Sequence, residues 1–427
     1  MSGADPGQSA DRCKIERDVI VQRPTIAVIS LWNAFPAENG GQRRALDLYR
    51  ALARSFEVVV CTLGPVGYSG RFTGDDGITE IRTARSPEFA ELEHEAMREM
   101  QSPISLAYVQ FDRFIHAVPE FERTVARTLA TARATILGAS TLYPLGRRNA
   151  RGPIVYQADN VEAALAPSFF EGAHALEHLV AVVSASERAC VSGSDLILTM
   201  SPEDREVFAE RYGAGLDRCF AFPPSIDSGD FRQIEPGAKA MGARPHAVFI
   251  GSDWPPNRDA VRLILEIALA VPEVDFTIIG SVGAGFHEVA ASANVRFTGF
   301  VRDERLAAYL ASADIGLNPC RQTSGMNIKM LDYVRAAIPI VTTPIGARGF
   351  AFESDVHALV REVNEFPAAI RSLTSDATRR DAIARRAVAH VRALLDRDRN
   401  AVALRSRMQA LCGDRGVGWE HWGIDSR

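Results

Sequence analysis

Between Ala247 and Thr343 short apolar runs and helical stretches take turns with little between them, and no other feature constrains the fold as severely. Strand-like runs cover Ala247–Gly251, Val274–Gly280, Asn294–Gly299, Asp314–Pro319 and Pro339–Thr343, with helical patterns over Asn257–Val271, Asp303–Ala313 and Gly325–Ala337. Such alternation implies a parallel sheet covered by helices on both faces, because parallel strands need long crossovers and are buried on each side. The amino-terminal half repeats the logic. An apolar run at Ile26–Ser30, a loop ending at Gly40-Gly41, a helix over Gln42–Arg54 and a second run at Glu57–Thr62 form a β-α-β unit. Further strands are expected at Ala134–Leu137, Pro153–Gln157 and Asp195–Ser201, the last followed by a helix from Pro202 to Tyr212 that Gly213 stops.

A chain of 427 residues is about twice a usual domain. Between Phe222 and His246 periodicity gives way to Pro, Gly, Ser and Asp, which places a domain boundary there. The expected organisation is a disordered tail over 1–22, an amino-terminal Rossmann-like domain over 23–235, a second one over 245–395 and a helical segment over 396–427 that packs back on the first domain. The fold class is therefore α/β, two doubly wound domains whose carboxyl strand ends face a shared cleft, where open α/β sheets take their ligands.

Charge and cysteine usage remove other classes. The net charge is −5, with no long run of either sign, so nucleic acid is not the expected partner. Six scattered cysteines form no C-x-x-C, which suggests neither a zinc site nor a disulfide framework and fits a reducing cytoplasm. No stretch reaches the roughly 18 apolar residues of a spanning helix, so any membrane contact would be peripheral, at the inner face.

The stretch that carries chemistry is Ser324-Gly-Met-Asn-Ile-Lys-Met-Leu-Asp332, between a strand end and a helix. If the helix begins here, the free N–H groups of Gly325, Met326 and Asn327 attract phosphate, Gly325 admits close approach, and Lys329 and Asp332 share one helical face. An ordinary helix with a serine cap and an i, i+3 ion pair would read the same way.

The wider context resembles family 4 (group 1) glycosyltransferases of the GT-B fold, which carry two glutamates separated by seven residues at this junction. Leu331-Asp-Tyr-Val-Arg-Ala-Ala-Ile-Pro-Ile-Val-Thr-Thr343 with Gly346-Ala-Arg-Gly349 looks like the helix and strand that follow that motif. Val248-Phe-Ile-Gly-Ser-Asp-Trp-Pro-Pro-Asn257 resembles the glycine loop of the second domain, and Phe297-Thr-Gly-Phe-Val301 the segment bordering the nucleobase. In the first half, Gly40-Gly41 before an arginine-containing helix and Val155-Tyr-Gln-Ala-Asp-Asn-Val-Glu162 are similar to family segments, so the likeness spans roughly 24–350.

The resemblance implies a retaining transfer of a sugar from a nucleotide-diphosphate donor to a hydroxyl acceptor, without metal or other cofactor. It implies catalytic roles for Asp159, Arg258 and Lys329, and donor contacts from Gly40, Gly41, Gly251, Ser252, Phe300, Val301, Ser324, Gly325, Met326, Asn327 and Asp332. Asp332 takes the place of the second glutamate and Arg258 that of a lysine, and the sequence departs from the pattern more sharply at three other places. Ser324 stands where the first glutamate is expected, as in a Ser-Gly/Lys variant of the motif; Ser252 replaces an arginine; and Asp159 takes the position of a histidine. These departures keep open a GT-B protein that binds nucleotide or a partner without turnover. Smaller alternatives are a sugar-nucleotide epimerase and a zinc hydrolase built on His174-Ala-Leu-Glu177-His178. Asp396-Arg-Asp398 has the D-x-D form of metal-dependent transferases but sits in a charged helical stretch, where a solvated face is expected. Donor sugar, base and acceptor stay open.

Overall fold

The computed structural model describes residues 23–37, 40–102, 104–224, 244–286, 292–322 and 325–413. The expected tail, most of the inter-domain stretch and Ser324 lie outside these residues.

The first sheet contains β1 (Thr25–Ser30), β2 (Glu57–Gly64), β3 (Gly70–Thr73), β4 (Thr79–Ala84), β5 (Ala134–Leu137), β6 (Ile154–Gln157), β7 (Leu196–Thr199) and β8 (Cys219–Ala221). Their order is β3-β4-β2-β1-β5-β6-β7-β8. Pairing is parallel throughout except for the β3–β4 hairpin at one edge. The second sheet contains β9 (His246–Ile250), β10 (Asp275–Ile279), β11 (Val295–Phe297), β12 (Ile315–Asn318), β13 (Ile340–Thr342) and β14 (Leu359–Val360), in the order β11-β10-β9-β12-β13-β14 and all parallel. Two doubly wound domains are thus confirmed.

Side-chain alternation explains why the central strands read as continuous apolar runs. In β1, Ile26 and Val28 enter one core with Leu48, Leu52, Val58 and Val60, whereas Ala27 and Ile29 enter another with Phe111 and Phe121. In β9, Ala247 and Phe249 face one layer while Val248 faces the other. The last helix, Arg397–Gly413, leaves the second domain and buries Ala401, Leu404, Met408 and Cys412 in the Leu48–Leu52 core of the first. Arg133 donates to the Cys412 carbonyl at 2.9 Å, and Arg54 pairs with Asp398 at 3.0 Å. Asp398 therefore serves a surface ion pair, while Asp396 accepts from the Arg399 N–H at 2.7 Å.

Two local expectations need correction. The helix expected over Gly325–Ala337 is only Lys329–Arg335, because Gly325 adopts a left-handed φ of 70° and the segment up to Ile328 runs as a loop against the other domain. The histidine pair proposed for zinc is not one turn apart on a helix. His174 precedes the helix Leu176–Gly193, its N–H donating to the Met100 carbonyl, so the geometry that the hydrolase alternative requires is missing. Among the described residues no group of three or more His, Cys, Asp or Glu side chains is arranged to hold a metal ion, and no helix is long and apolar enough to cross a membrane.

Candidate functional site

Loops at the carboxyl ends of the two sheets meet across the cleft. Gly40, after β1, lies against Ile328, and a Cβ there would come within 2.9 Å of the isoleucine side chain. Gly325, after β12, faces the Asp159 carbonyl after β6, where a Cβ would approach to 2.6 Å. Phe169 and Trp254 bring their rings to 4.6 Å from opposite sides, and Arg43 pairs with Asp303 at 3.2 Å.

The second-domain wall gathers the glycine loop and the start of the short helix. Gly251 is buried, its N–H bound to the Ile279 carbonyl, and the Ser252 carbonyl accepts from Asn257 at 3.0 Å. Asn257 Oδ1 accepts in turn from Lys329 Nζ at 2.7 Å, and that ammonium stands 4.3 Å from the centre of the Phe249 ring. Burial lowers the Lys329 pKa to about 8, with the nearby Cys320 thiol opposing the shift. Arg258 lies close by, but two of its three guanidinium nitrogens, Nε and Nη2, donate to Asp253 at 2.6 and 2.9 Å. Among the described residues no carboxylate pairs with Lys329, whereas Arg258 is bound by Asp253.

The other expected donor residues are more dispersed. Asp332 is partly buried, its pKa raised chiefly by that burial, and pairs at 3.4 Å with Arg335 rather than with Lys329. Met326 is buried, and Asn327 donates to the Gly346 carbonyl at 3.3 Å. Phe300 is 77% exposed at the rim, with Val301 half-buried beside it. Gly40 and Gly41 form the first residues of the helix Gly40–Ala53. The Gly325 N–H is not free: it donates to Asp204 of the first domain at 3.2 Å, a correction to its expected role as a free phosphate donor.

The first-domain wall centres on Asp159. Its carboxylate pairs with Arg44, whose side chain is wholly buried while that of Asp159 keeps 29% exposure. Arg44 also reaches the Leu198 and Phe222 carbonyls, both at 3.4 Å. Asp159 is not the cap of the next helix: that helix, Glu162–Phe169, has its first N–H groups, from Glu162 and Ala163, bound by the Glu187 carboxylate at 2.7 and 3.0 Å. Beneath this turn Tyr108 donates to Glu162 at 2.7 Å.

Burial and then the nearby Glu187 raise the Glu162 pKa to about 8, so folding favours its protonated form. Between the ordinary glutamate value and about 8 the folded state holds the proton that the unfolded chain has released, and stability falls as pH rises across that window. Glu162→Gln keeps the acceptor for Tyr108 without the charge. Its melting-temperature advantage over the parent protein is expected to grow from pH 5 to pH 8, and a constant difference in a pH series of thermal melts would contradict the assignment.

Sequence reasoning did not single out Arg44, Glu203, Asp204, Arg348 or the Tyr108–Glu162–Glu187 group. Arg44 had a signal in the arginine-containing helix after Gly40-Gly41; the partners of Asp204 and Arg348 are distant in sequence and left none.

Residues 244–376 match the family model for Glycosyl transferases group 1. Over 258 residues the chain is 25% identical to the GDP-mannose-dependent alpha-(1-6)-phosphatidylinositol monomannoside mannosyltransferase of Mycobacterium tuberculosis, a match that covers 54% of this chain and 66%, just under two thirds, of that protein. Among solved structures, sucrose-phosphate synthase from Thermosynechococcus elongatus superposes with a TM-score of 0.73 at 15% identity, covering 92% of this chain and 100% of the other. HepE of Anabaena in complex with UDP-glucose gives 0.65 at 14% identity, covering 91% of this chain and 100% of the other. At these identities the structures establish a shared fold.

Proposed function

From the match of residues 244–376 to the group 1 glycosyl transferases and from the GT-B fold, we propose that the chain is a member of that family and moves a sugar, with retention of anomeric configuration, from a nucleoside-diphosphate donor to a hydroxyl acceptor. The observation that carries the reading is Lys329: a cation held beside Asn257 at the head of the second domain, with no carboxylate paired to it among the described residues. Departure of a nucleoside diphosphate needs positive charge at its phosphates, and Lys329 meets that need without a metal ion. Arg258 adds a second charge if the phosphate displaces Asp253.

In this mechanism the bond between the anomeric carbon and the phosphate oxygen breaks as the acceptor oxygen bonds on the same face. The acceptor proton passes to the departing phosphate oxygen. Asp159, paired with Arg44, contributes negative charge beside the developing oxocarbenium ion rather than acting as a base. Asp332 is the candidate acceptor for ribose hydroxyls, and Phe300 with Val301 borders the base.

The mycobacterial relative is named for GDP-mannose and the Anabaena structure contains UDP-glucose, so both bases belong in the test. A ligand at 100 times its dissociation constant stabilises the folded state by about 2.7 kcal/mol. Thermal stabilisation by UDP, GDP or one of their sugars is expected, followed by product of retained configuration in the presence of a chelator. No shift with any of them sinks the donor site; loss of turnover with the chelator sinks metal independence. The bound state of Arg258 and the pairing of Asp159 also favour a second reading, a protein that binds the nucleotide sugar without transfer. Binding with no turnover across a panel of sugar, lipid-linked and small-molecule acceptors would establish that one.

A further inference from the structure

The first turn of the helix Pro202–Tyr212, in the first domain, grips the donor-side loops of the second. Asp204 is 1% exposed, and its Oδ1 accepts from the Gly325 N–H at 3.2 Å and from Arg348 Nη2 at 3.0 Å. The neighbouring Glu203 Oε1 accepts from the Gly349 N–H at 3.1 Å. Ser201 caps the same helix, binding the Asp204 N–H at 3.1 Å, so this turn is fixed before it meets the other domain. Two carboxylates at a helix N-terminus are favoured by the helix dipole, and Arg348 pairs with Asp204 at 3.0 Å.

All three second-domain partners belong to two loops. Gly325 lies on the segment leading to Lys329, and Gly349 lies after β13, packed against Met326. The turn therefore binds both loops at once, and only while the domains are together. Apart, the carboxylates and N–H groups are hydrated and nothing in the first domain fixes Gly325. Together, Asp204 would be a buried charge without compensation unless Gly325 and Arg348 are in place. Domain closure and the shape of the Gly325–Asn327 loop are thus one event.

We infer that Asp204, assisted by Glu203, is a positioning residue that sets the Gly325–Asn327 loop for the sugar half of the donor when the cleft closes. The inference rests on the donor reading above. It predicts a split that a general packing defect would not produce. The nucleotide half meets Lys329 and Asp332 on the second domain alone, whereas the sugar half depends on the loop that the first domain holds.

The test uses Asp204→Asn and Arg348→Met in the full chain, comparing KM for the nucleotide sugar, Kd for the nucleoside diphosphate and the radius of gyration by solution scattering. Each variant is expected to raise the nucleotide-sugar KM by about tenfold while leaving the nucleoside-diphosphate Kd within about twofold, and to leave the molecule more open with donor bound; the combined variant is expected to add little to either single change. Equal losses of both affinities, or a radius unchanged from the parent protein, overturns the inference. Should Asp204→Asn not fold, Arg348→Met gives the same comparison from the less buried partner. If the parent protein turns over no donor, the transfer reading has failed on its own; scattering and diphosphate binding still decide whether Asp204 holds the domains closed.

Discussion

Lys329→Met is expected to lower donor kcat/KM by about 10²–10³-fold, in the range seen when a principal transition-state charge stabiliser is removed. Methionine keeps an unbranched stem of similar length and removes the ammonium that stands over the Phe249 ring. Its pKa of about 8 makes a second, sharper expectation. A bound diphosphate favours the protonated lysine, so donor kcat/KM should decline as pH rises above about 8, and donor binding in that range should take up a proton. In the free protein the sign is reversed. Above about 8 the folded state sheds a proton that the unfolded chain keeps until the ordinary lysine value, and stability rises with pH across the interval. Lys329→Met removes both limbs, the loss of activity and the gain of stability. A pH profile of kcat/KM with an intact alkaline limb in the variant would assign that limb to another group, and full activity would remove Lys329 from the site.

Strand positions were legible because parallel strands are buried on both faces: Ala134–Leu137 is apolar apart from Thr135 and occupies those four residues in the structure, all of them buried. The helix Pro202–Tyr212 was readable at both ends, since Ser201-Pro202 and Gly213 are local signals. The β3–β4 hairpin was not. β3 is a half-exposed edge strand of sequence Gly-Arg-Phe-Thr, held in part by Arg82 over the Phe72 ring at 4.6 Å, and its letters resemble a loop.

The helix start at Lys329 failed for a different reason. Ser324-Gly325 satisfies every local rule for a helix beginning, yet Gly325 takes its conformation from Asp159 and Asp204, residues of the other domain. The same holds for the charges. Lys329 and Asp332 are three residues apart, but their partners, Asn257 for one and Arg335 for the other, decide that they do not meet. Family likeness drew attention to loops that meet across the cleft; which charges are paired among them depended on contacts that no local spacing records.

Arg44→Met and Asp159→Asn are each expected to destabilise the protein by about 3–5 kcal/mol, because each breaks the ion pair between a buried and a part-buried charge. The arginine variant loses more than the pair. Arg44 also supports the Leu198 and Phe222 carbonyls at the ends of β7 and β8, and Phe222 stands close to where the chain leaves the first domain. Combining the two substitutions removes both charges at once and should recover much of the lost stability, so the double variant in urea or thermal unfolding will lie above the sum of the singles. Transfer separates structure from chemistry. If the Asp159 charge supports the oxocarbenium ion, the double variant folds well yet stays at least about tenfold below the parent in kcat, with nucleoside-diphosphate affinity retained. Recovery of kcat together with stability would show that Arg44 and Asp159 hold the first-domain wall in place and that the charge at the anomeric carbon comes from elsewhere.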